Sequence, residues 1–239
     1  MKFATPLIRG RLIKRYKRFL ADVTLDDGRN ITCTCPNTGS MLGLTKPGSV
    51  VWLSESDSPT RKYRHTWEMI EDDGFGNPAL VGINTGHPNK LVTEAISADR
   101  IAPLKGYASL KREQKYGTNS RIDILLEDEE KGRAYVEIKN VHLMRQAGRA
   151  EFPDSVTERG AKHLRELAEV ARAGDRAVML FLVQRSDAKS VSLASDIDPK
   201  YAEAFKEAAT AGVEALAYRC RLAPEEIVVD AKIPVRIGR

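Results

Sequence analysis

Ser120-Arg121-Ile122-Asp123-Ile124-Leu125-Leu126, then Glu127-Asp128-Glu129-Glu130-Lys131-Gly132-Arg133, then Ala134-Tyr135-Val136-Glu137-Ile138-Lys139-Asn140-Val141, is the stretch on which the fold turns. Two runs of strand-forming residues flank a polar, glycine-containing turn, which predicts an antiparallel hairpin. Centring the turn on Glu130 sets Asp123 opposite Glu137 and Arg121 opposite Lys139. Side chains alternate along a strand. The register therefore predicts one face carrying Arg121, Asp123, Leu125, Tyr135, Glu137 and Lys139. The other face, Ile122, Ile124, Leu126, Val136 and Ile138, reads as core.

Directly opposed residues have Cβ atoms roughly 4.5–5.5 Å apart. Two carboxylates at that separation repel unless a divalent cation lies between them. Mg2+ takes one or two carboxylates at about 2.0–2.1 Å and keeps several waters. Lys139 points the same way as Glu137 and can orient a water or offset negative charge on a phosphate. Those are the parts of metal-assisted phosphodiester hydrolysis. A solvated hairpin of mixed charge is the plain alternative. Glu-x-Lys alone carries little weight, and it gains weight on an apolar strand beside an Asp of a second apolar strand.

The flanking sequence predicts an α/β layer. His87 to Ala98 has Leu91, Val92, Ala95 and Ile96 at helical spacing. Ala108 to Tyr116 reads as a strand. After the hairpin, Ser155 and Glu158 have capping-box spacing, Leu164, Leu167, Ala168 and Ala171 line one helix face, and Gly174 ends it. Asp154 and Thr157 are further capping candidates. The continuous apolar run Ala177 to Val183 predicts a strand buried on both faces. A helix over Pro199 to Ala211 stops at Gly212, and Val213 to Tyr218 and Ile227 to Val229 read as edge strands.

Upstream the pattern is of short strands: Leu7 to Arg18, Leu20 to Leu25, Ile31 to Cys35, Val50 to Leu53, Tyr63 to Ile70 and Ala79 to Ile83. Asp26-Asp27-Gly28-Arg29 is a hairpin turn between two of them. Few helical patterns among these strands predict a small β-barrel. The boundary falls near residue 83, giving two domains, 1–83 and 84–239.

Arg9, Arg11, Lys14, Arg15, Lys17 and Arg18 crowd the first strand with no acidic residue among them, beside Tyr16 and Phe19. A basic groove with aromatic platforms holds nucleic acid by phosphate contact and base stacking. Arg61, Lys62 and Arg64 with Tyr63 and Trp67 repeat the mixture. The plain alternative is a charged edge strand that resists edge-to-edge association.

The chain has 239 residues, 38 Lys and Arg against 33 Asp and Glu, and a net charge of +5, a mild bias toward anionic partners. Its three cysteines, Cys33, Cys35 and Cys220, are odd in number and lack zinc-knuckle spacing, which predicts reduced thiols in a cytoplasmic protein. No apolar stretch reaches the roughly 20 residues of a membrane span, and the N-terminus has no signal-peptide core. His65, His87 and His142 have no metal-ligand spacing. Gly39, Gly43 and Gly48 lack a Walker pattern, and Ser40 and Ser155 lack the setting of a hydrolase nucleophile. No small-molecule cofactor is expected, and a homodimer is compatible with the sequence.

Asp123, Glu137 and Lys139 resemble the motif of the restriction-endonuclease-like superfamily, an Asp followed on the next strand by Asp/Glu-x-Lys. Ile122 stands where that superfamily often has Pro. The superfamily often adds an acidic residue from the preceding helix, for which Glu94 is the candidate. Longer blocks resemble the bacterial and archaeal sugar fermentation stimulation protein A family. They are Pro36-Asn37-Thr38-Gly39-Ser40-Met41, Val136 to Val141, Phe152 to Leu164, and Phe181-Leu182-Val183-Gln184-Arg185. The resemblance implies an N-terminal OB-fold, a nuclease-like α/β domain with a mixed central sheet, DNA binding, and a link to the regulation of sugar utilisation such as maltose metabolism.

Three functions are compatible with these residues. The first is a Mg2+- or Mn2+-dependent DNA nuclease with Asp123, Glu137 and the Ile138 carbonyl at the metal and Lys139 at the attacking water. The second is a non-catalytic regulator that grips single- or double-stranded DNA with the same scaffold. The third, a sugar-processing protein using the two carboxylates, fits Lys139 and the basic strand poorly. His163, beside Lys162 and Arg165, is either a phosphate contact or a packing residue.

Overall fold

The computed structural model describes residues 1–117 and 120–236. Its first part is a closed barrel of five strands: β1 (Ile8–Tyr16), β2 (Leu20–Leu25), β3 (Asn30–Thr34), β4 (Val50–Glu55) and β5 (His65–Asp72), with β6 (Ala79–Gly82) added on β5. The ring runs β1-β2-β3-β5-β4 and back to β1. Alternating inward residues fill it, among them Leu12, Val23, Leu25, Val51, Leu53, Trp67 and Ile70. Gly28, at φ 89°, makes the predicted β2–β3 turn, where Leu25 N–H donates to the Arg29 carbonyl at 2.8 Å. β1 stops two residues short of the predicted run because Lys17 and Arg18 take positive φ in the turn to β2. It is no edge strand, since β2 and β4 flank it on either side.

The second part is built on a six-stranded mixed sheet. Its strands are β7 (Ser109–Tyr116), β8 (Ser120–Asp128), β9 (Gly132–Val141), β12 (Arg176–Val183), β14 (Glu214–Ala223) and β15 (Glu226–Lys232), in the order β15-β14-β12-β9-β8-β7. The β9–β12 and β12–β14 pairs are parallel. β12 alternates between two cores, which explains its unbroken apolar run. Val178, Leu180 and Leu182 face helix α1 (Pro88–Ser97), while Met179, Phe181 and Val183 face α2 (Glu158–Arg172) and α3 (Pro199–Thr210). β14 was expected at an edge but lies inside the sheet, because β15 adds antiparallel to it.

A second, small sheet is absent from the sequence reading. It comprises β10 (Leu143–Gln146), β11 (Arg149–Phe152), β13 (Ser190–Leu193) and β16 (Val235–Arg236). Strands of two to four residues give too little alternation to be read. The cap of α2 also differs from the capping-box expectation. Thr157 Oγ1, not Ser155, accepts the Gly160 N–H at 3.0 Å. Asp198 caps α3 through Tyr201 N–H at 2.9 Å and also accepts Thr157 N–H at 2.8 Å, so one carboxylate ties the two helix starts together.

Barrel and sheet meet over a packed seam. Leu7 and Met69 of the barrel join the core beneath α1. Gly82 N–H donates to the Gln184 carbonyl at 2.8 Å. Arg185, 1% exposed, reaches Asp72 at 2.8 Å, the His142 carbonyl at 3.0 Å and Asp187 at 2.7 Å. Residues at the start of the chain leave the barrel: the Lys2 backbone forms an antiparallel β-bridge with Glu226, and the Phe3 N–H donates to the Glu225 carbonyl at 3.0 Å. All three cysteines are free and buried. Among the described residues no helix is long and apolar enough to cross a membrane.

Candidate functional site

The β8–β9 ladder pairs Ile124 with Val136, Leu125 with Tyr135 and Leu126 with Ala134, the register that centring the turn on Glu130 predicts. The paired ladder ends at Ile124 and Val136, and the next residues are Asp123 and Glu137. On the other side of β8, Arg112 pairs with Ile124 and Gln114 with Ile122. Glu113, with φ 53°, is skipped opposite Asp123. β8 is therefore irregular at Asp123, and Ile122 joins the core beneath α2 while Ile124 joins the core beneath α1. The single apolar face expected for Ile122 and Ile124 is split by this irregularity.

A cavity of about 860 Å3 opens there, between the start of α1, β7–β9 and the start of α2. Asp123, Glu137 and Lys139 all line it, with Asn89, Glu113, Arg112, Arg121, Arg159, Lys162 and His163. Asp123 Oδ2 accepts the Ile138 N–H at 2.7 Å, and its Oδ1 accepts Asn89 Nδ2 at 2.9 Å. The same Asn89 amide donates to Glu113 Oε1 at 2.9 Å. Glu137, 2% exposed, takes Lys139 Nζ at 2.7 Å and the His163 Nδ1 on one oxygen, Oε1. Its other oxygen, Oε2, is buried with no hydrogen-bond partner among the described residues. His163 sits on the buried side of α2 and accepts Arg159 Nε on its Nε2 at 3.3 Å.

The electrostatics separate the two carboxyls. Burial pushes the Asp123 carboxyl up, and the neighbouring Glu137 charge adds to it. The Ile138 N–H, Asn89 and Lys139 pull the other way without prevailing. Burial also acts to raise Glu137, but the His163 hydrogen bond and the Lys139 charge outweigh it and leave Glu137 below its ordinary value. Burial and the charges of Glu137, Glu166 and Asp123 push the neighbouring Tyr116 hydroxyl up. Opposed displacements of two carboxyls in one cleft mark a chemically differentiated pair.

Glu94 stands apart. It pairs with the Met1 amino group at 2.7 Å and lines a separate cavity with Lys2 and Glu226. The residue that α1 brings to Asp123 is Asn89, and the additional acid is Glu113 from β7. The sequence reading missed both. An Asn in a first helical turn and a Glu within a charged strand carry no local mark. Among the described residues no three His, Cys, Asp or Glu side chains are grouped to hold a metal ion.

The basic run on β1 is largely engaged with the protein itself. Arg15 Nη2 donates to the carbonyls of Arg18, Asn37 and Gly39 at 2.8, 2.8 and 2.9 Å, and Arg18 Nε donates to the Thr38 carbonyl at 2.8 Å. Together they clamp the Pro36–Met41 loop, and the buried Asn37 ties that loop to the Ile83 carbonyl at 3.1 Å. Arg9 pairs with Asp26, Arg11 donates to the Gly48 carbonyl, and Lys14 lies over the Tyr16 ring and near Asp22. The Tyr16 hydroxyl donates to Asp22 at 2.9 Å. Lys17 is exposed, as is Phe19 at 52%.

Comparison with known proteins follows the same two-part division. Residues 13–83 match the SfsA N-terminal OB domain, and residues 86–226 match the Sugar fermentation stimulation protein RE domain. A sugar fermentation stimulation protein homolog of Brucella anthropi is 60% identical over 235 residues, covering 98% of this chain and 100% of that one. Its counterpart in Brucella ovis is 59% identical, covering 98% and 97%. The structure of Pyrococcus furiosus SfsA in complex with Ca2+ superposes with a TM-score of 0.87 at 29% identity, covering 99% of this chain and 98% of that one.

Proposed function

Because the chain belongs to the sugar fermentation stimulation protein family, an OB barrel joined to a nuclease-like domain, we propose that its cleft is a divalent-metal-dependent phosphodiester hydrolase site acting on DNA. One observation carries the reading: Glu137 Oε2 is buried, with no hydrogen-bond partner among the described residues, in a cleft that it shares with Asp123. An unsatisfied buried carboxylate oxygen costs about 1–3 kcal/mol or more. A hard cation offsets that cost and relieves the Glu137 repulsion that adds to burial in lifting Asp123. The Ca2+ of the Pyrococcus furiosus relative supports a divalent site.

Asp123 and Glu137 would hold the ion, Mg2+ or Mn2+ in this reading, with the Ile138 carbonyl as an additional ligand. When bound, the ion supplies Lewis-acid polarisation of a phosphate and a more acidic water. The chain's own groups do the rest. His163 and Lys139 fix Glu137 Oε1 and leave Oε2 for the ion. Asn89 and the Ile138 N–H hold Asp123 in place. The Lys139 ammonium holds a water and offsets charge on the phosphate. Arg112 of β7, Arg121 of β8 and Arg159 of α2, which line the cleft, take flanking phosphates.

Stimulation of sugar fermentation, in the relatives' names, supplies the proposed physiological setting, with regulation of sugar (maltose) utilisation as the outcome. The deciding experiment is a cleavage assay on single-stranded, duplex and branched DNA with Mg2+ or Mn2+. Lys139→Ala is expected to abolish cleavage and to leave DNA affinity within a few-fold. Cleavage that survives both Asp123→Ala and Lys139→Ala removes this site from the chemistry. Tight binding without cleavage under either ion would favour the non-catalytic regulator.

A further inference from the structure

A second cavity, of about 650 Å3, lies on the small sheet and shares no lining residue with the cleft. Arg145 and Arg149 of the β10–β11 hairpin, Ser192 of β13, Lys206 of α3 and Arg236 of β16 line it, with the carboxylates of Glu151 and Asp196. Both carboxylates are already taken by Arg145. Its Nε and Nη2 donate to Glu151 at 2.8 and 3.0 Å, and its Nη1 and Nη2 donate to Asp196 at 2.6 and 2.8 Å.

What remains is a wall of unused donors. Arg149 Nε and Ser192 Oγ are buried with no hydrogen-bond partner among the described residues. Arg149 otherwise makes only a long contact of 3.4 Å to Glu151. Among the described residues Lys206 and Arg236 make no ion pair, and both side chains are exposed. Closed-off donors cost about 1–3 kcal/mol each unless an acceptor arrives. Three incompletely paired cations and a hydroxyl in one concavity suit a compact, multiply charged oxyanion. The volume far exceeds a bare phosphate and falls in the range of small-molecule sites, about 300–1,000 Å3. We propose that this cavity binds a small phosphomonoester, with its phosphate on Arg149, Ser192, Lys206 and Arg236 and its organic body filling the remaining space.

The test is calorimetric titration of the full chain with inorganic phosphate, glycerol 3-phosphate and adenosine 5′-monophosphate, without divalent cations and at ionic strength fixed with chloride. At least one organic phosphate is expected to bind one per chain, more tightly than inorganic phosphate. The Lys206→Ala/Arg236→Ala double variant, which changes two exposed side chains, is expected to melt with the parent and to lose at least tenfold in affinity. Lys139→Ala, in the other cleft, is expected to change it less than twofold. The proposal is overturned if none of the three ligands gives saturable heat. It is overturned equally if the double variant binds as the parent does, or if Lys139→Ala removes the binding.

Discussion

The Asp154 carboxylate accepts the backbone N–H of Met41 at 3.1 Å, and the Ser40 hydroxyl donates to the Asp154 carbonyl at 2.7 Å. Two of the blocks that carry the family resemblance are therefore one contact, joining the barrel to the α/β domain. His142 Nε2 stands 3.3 Å from the same carboxylate, within ion-pairing distance though without hydrogen-bond geometry. Burial opposes ionisation of Asp154, but His142, the Met41 N–H and Ser40 outweigh it and hold the carboxyl at about 2 against an ordinary 3.8.

That displacement has a pH signature. The folded chain binds this proton less readily than the unfolded chain does, so its contribution is complete above the ordinary carboxyl value. It declines as pH falls through 3.8 toward about 2. The stability difference between the parent and Asp154→Asn, from chemical denaturation, is expected to be about 2 kcal/mol above pH 5. It is expected to shrink steadily below pH 4, and a difference independent of pH would contradict the assignment.

His163 acts through Glu137 and is a positioning residue. Groups that orient a metal ligand from behind typically change metal affinity by about 10–100-fold when removed. His163→Ala is expected to weaken Mn2+ binding by that factor in calorimetry and to leave the far-ultraviolet circular dichroism spectrum unchanged. Unaltered Mn2+ affinity would remove His163 from the site.

Arg15 and Lys17, two residues apart, are expected to behave oppositely. Arg15→Ala strips three short bonds to the backbone carbonyls of Arg18, Asn37 and Gly39 and should cost roughly 2–3 kcal/mol of stability. Lys17→Ala should leave stability unchanged. If Lys17 touches a phosphate, it should lower the slope of log affinity against log salt by about 0.9 on duplex DNA. Melting curves and binding at three salt concentrations separate the two roles.

Arg185 is the buried centre of the domain seam. Arg185→Met leaves Asp72 and Asp187 without their shared cation, and the loss should be about 3–5 kcal/mol. Proteolysis near residue 83 should quicken in parallel. A stable, protease-resistant variant would show that the apolar part of the seam suffices.

The hairpin and its register were legible because alternation over two long strands leaves little freedom, and the turn fixes the rest. Helix α1 was legible to within a residue at each end, but its rotation was not. Its apolar stripe says which side meets the core, yet the choice between Asn89 and Glu94 as the neighbour of Asp123 depends on where the β8–β9 ladder stops. Arg15 and Arg18 read as a nucleic-acid run because composition does not reveal carbonyls that a loop twenty residues later presents to them. The burial of His163 depends on how α2 lies across β9, a contact between segments 26 positions apart.

The barrel's ring is completed at a single rung, Thr34 to Thr66, with the Thr34 hydroxyl reaching the His65 carbonyl at 3.2 Å and the Thr66 hydroxyl at 3.1 Å. Every other joint of the cylinder has at least four rungs. The wall should breathe at that joint first. Backbone amides there should trade hydrogen for deuterium sooner than those of neighbouring ladders, and the cylinder can part locally while the rest of its staves stay bound.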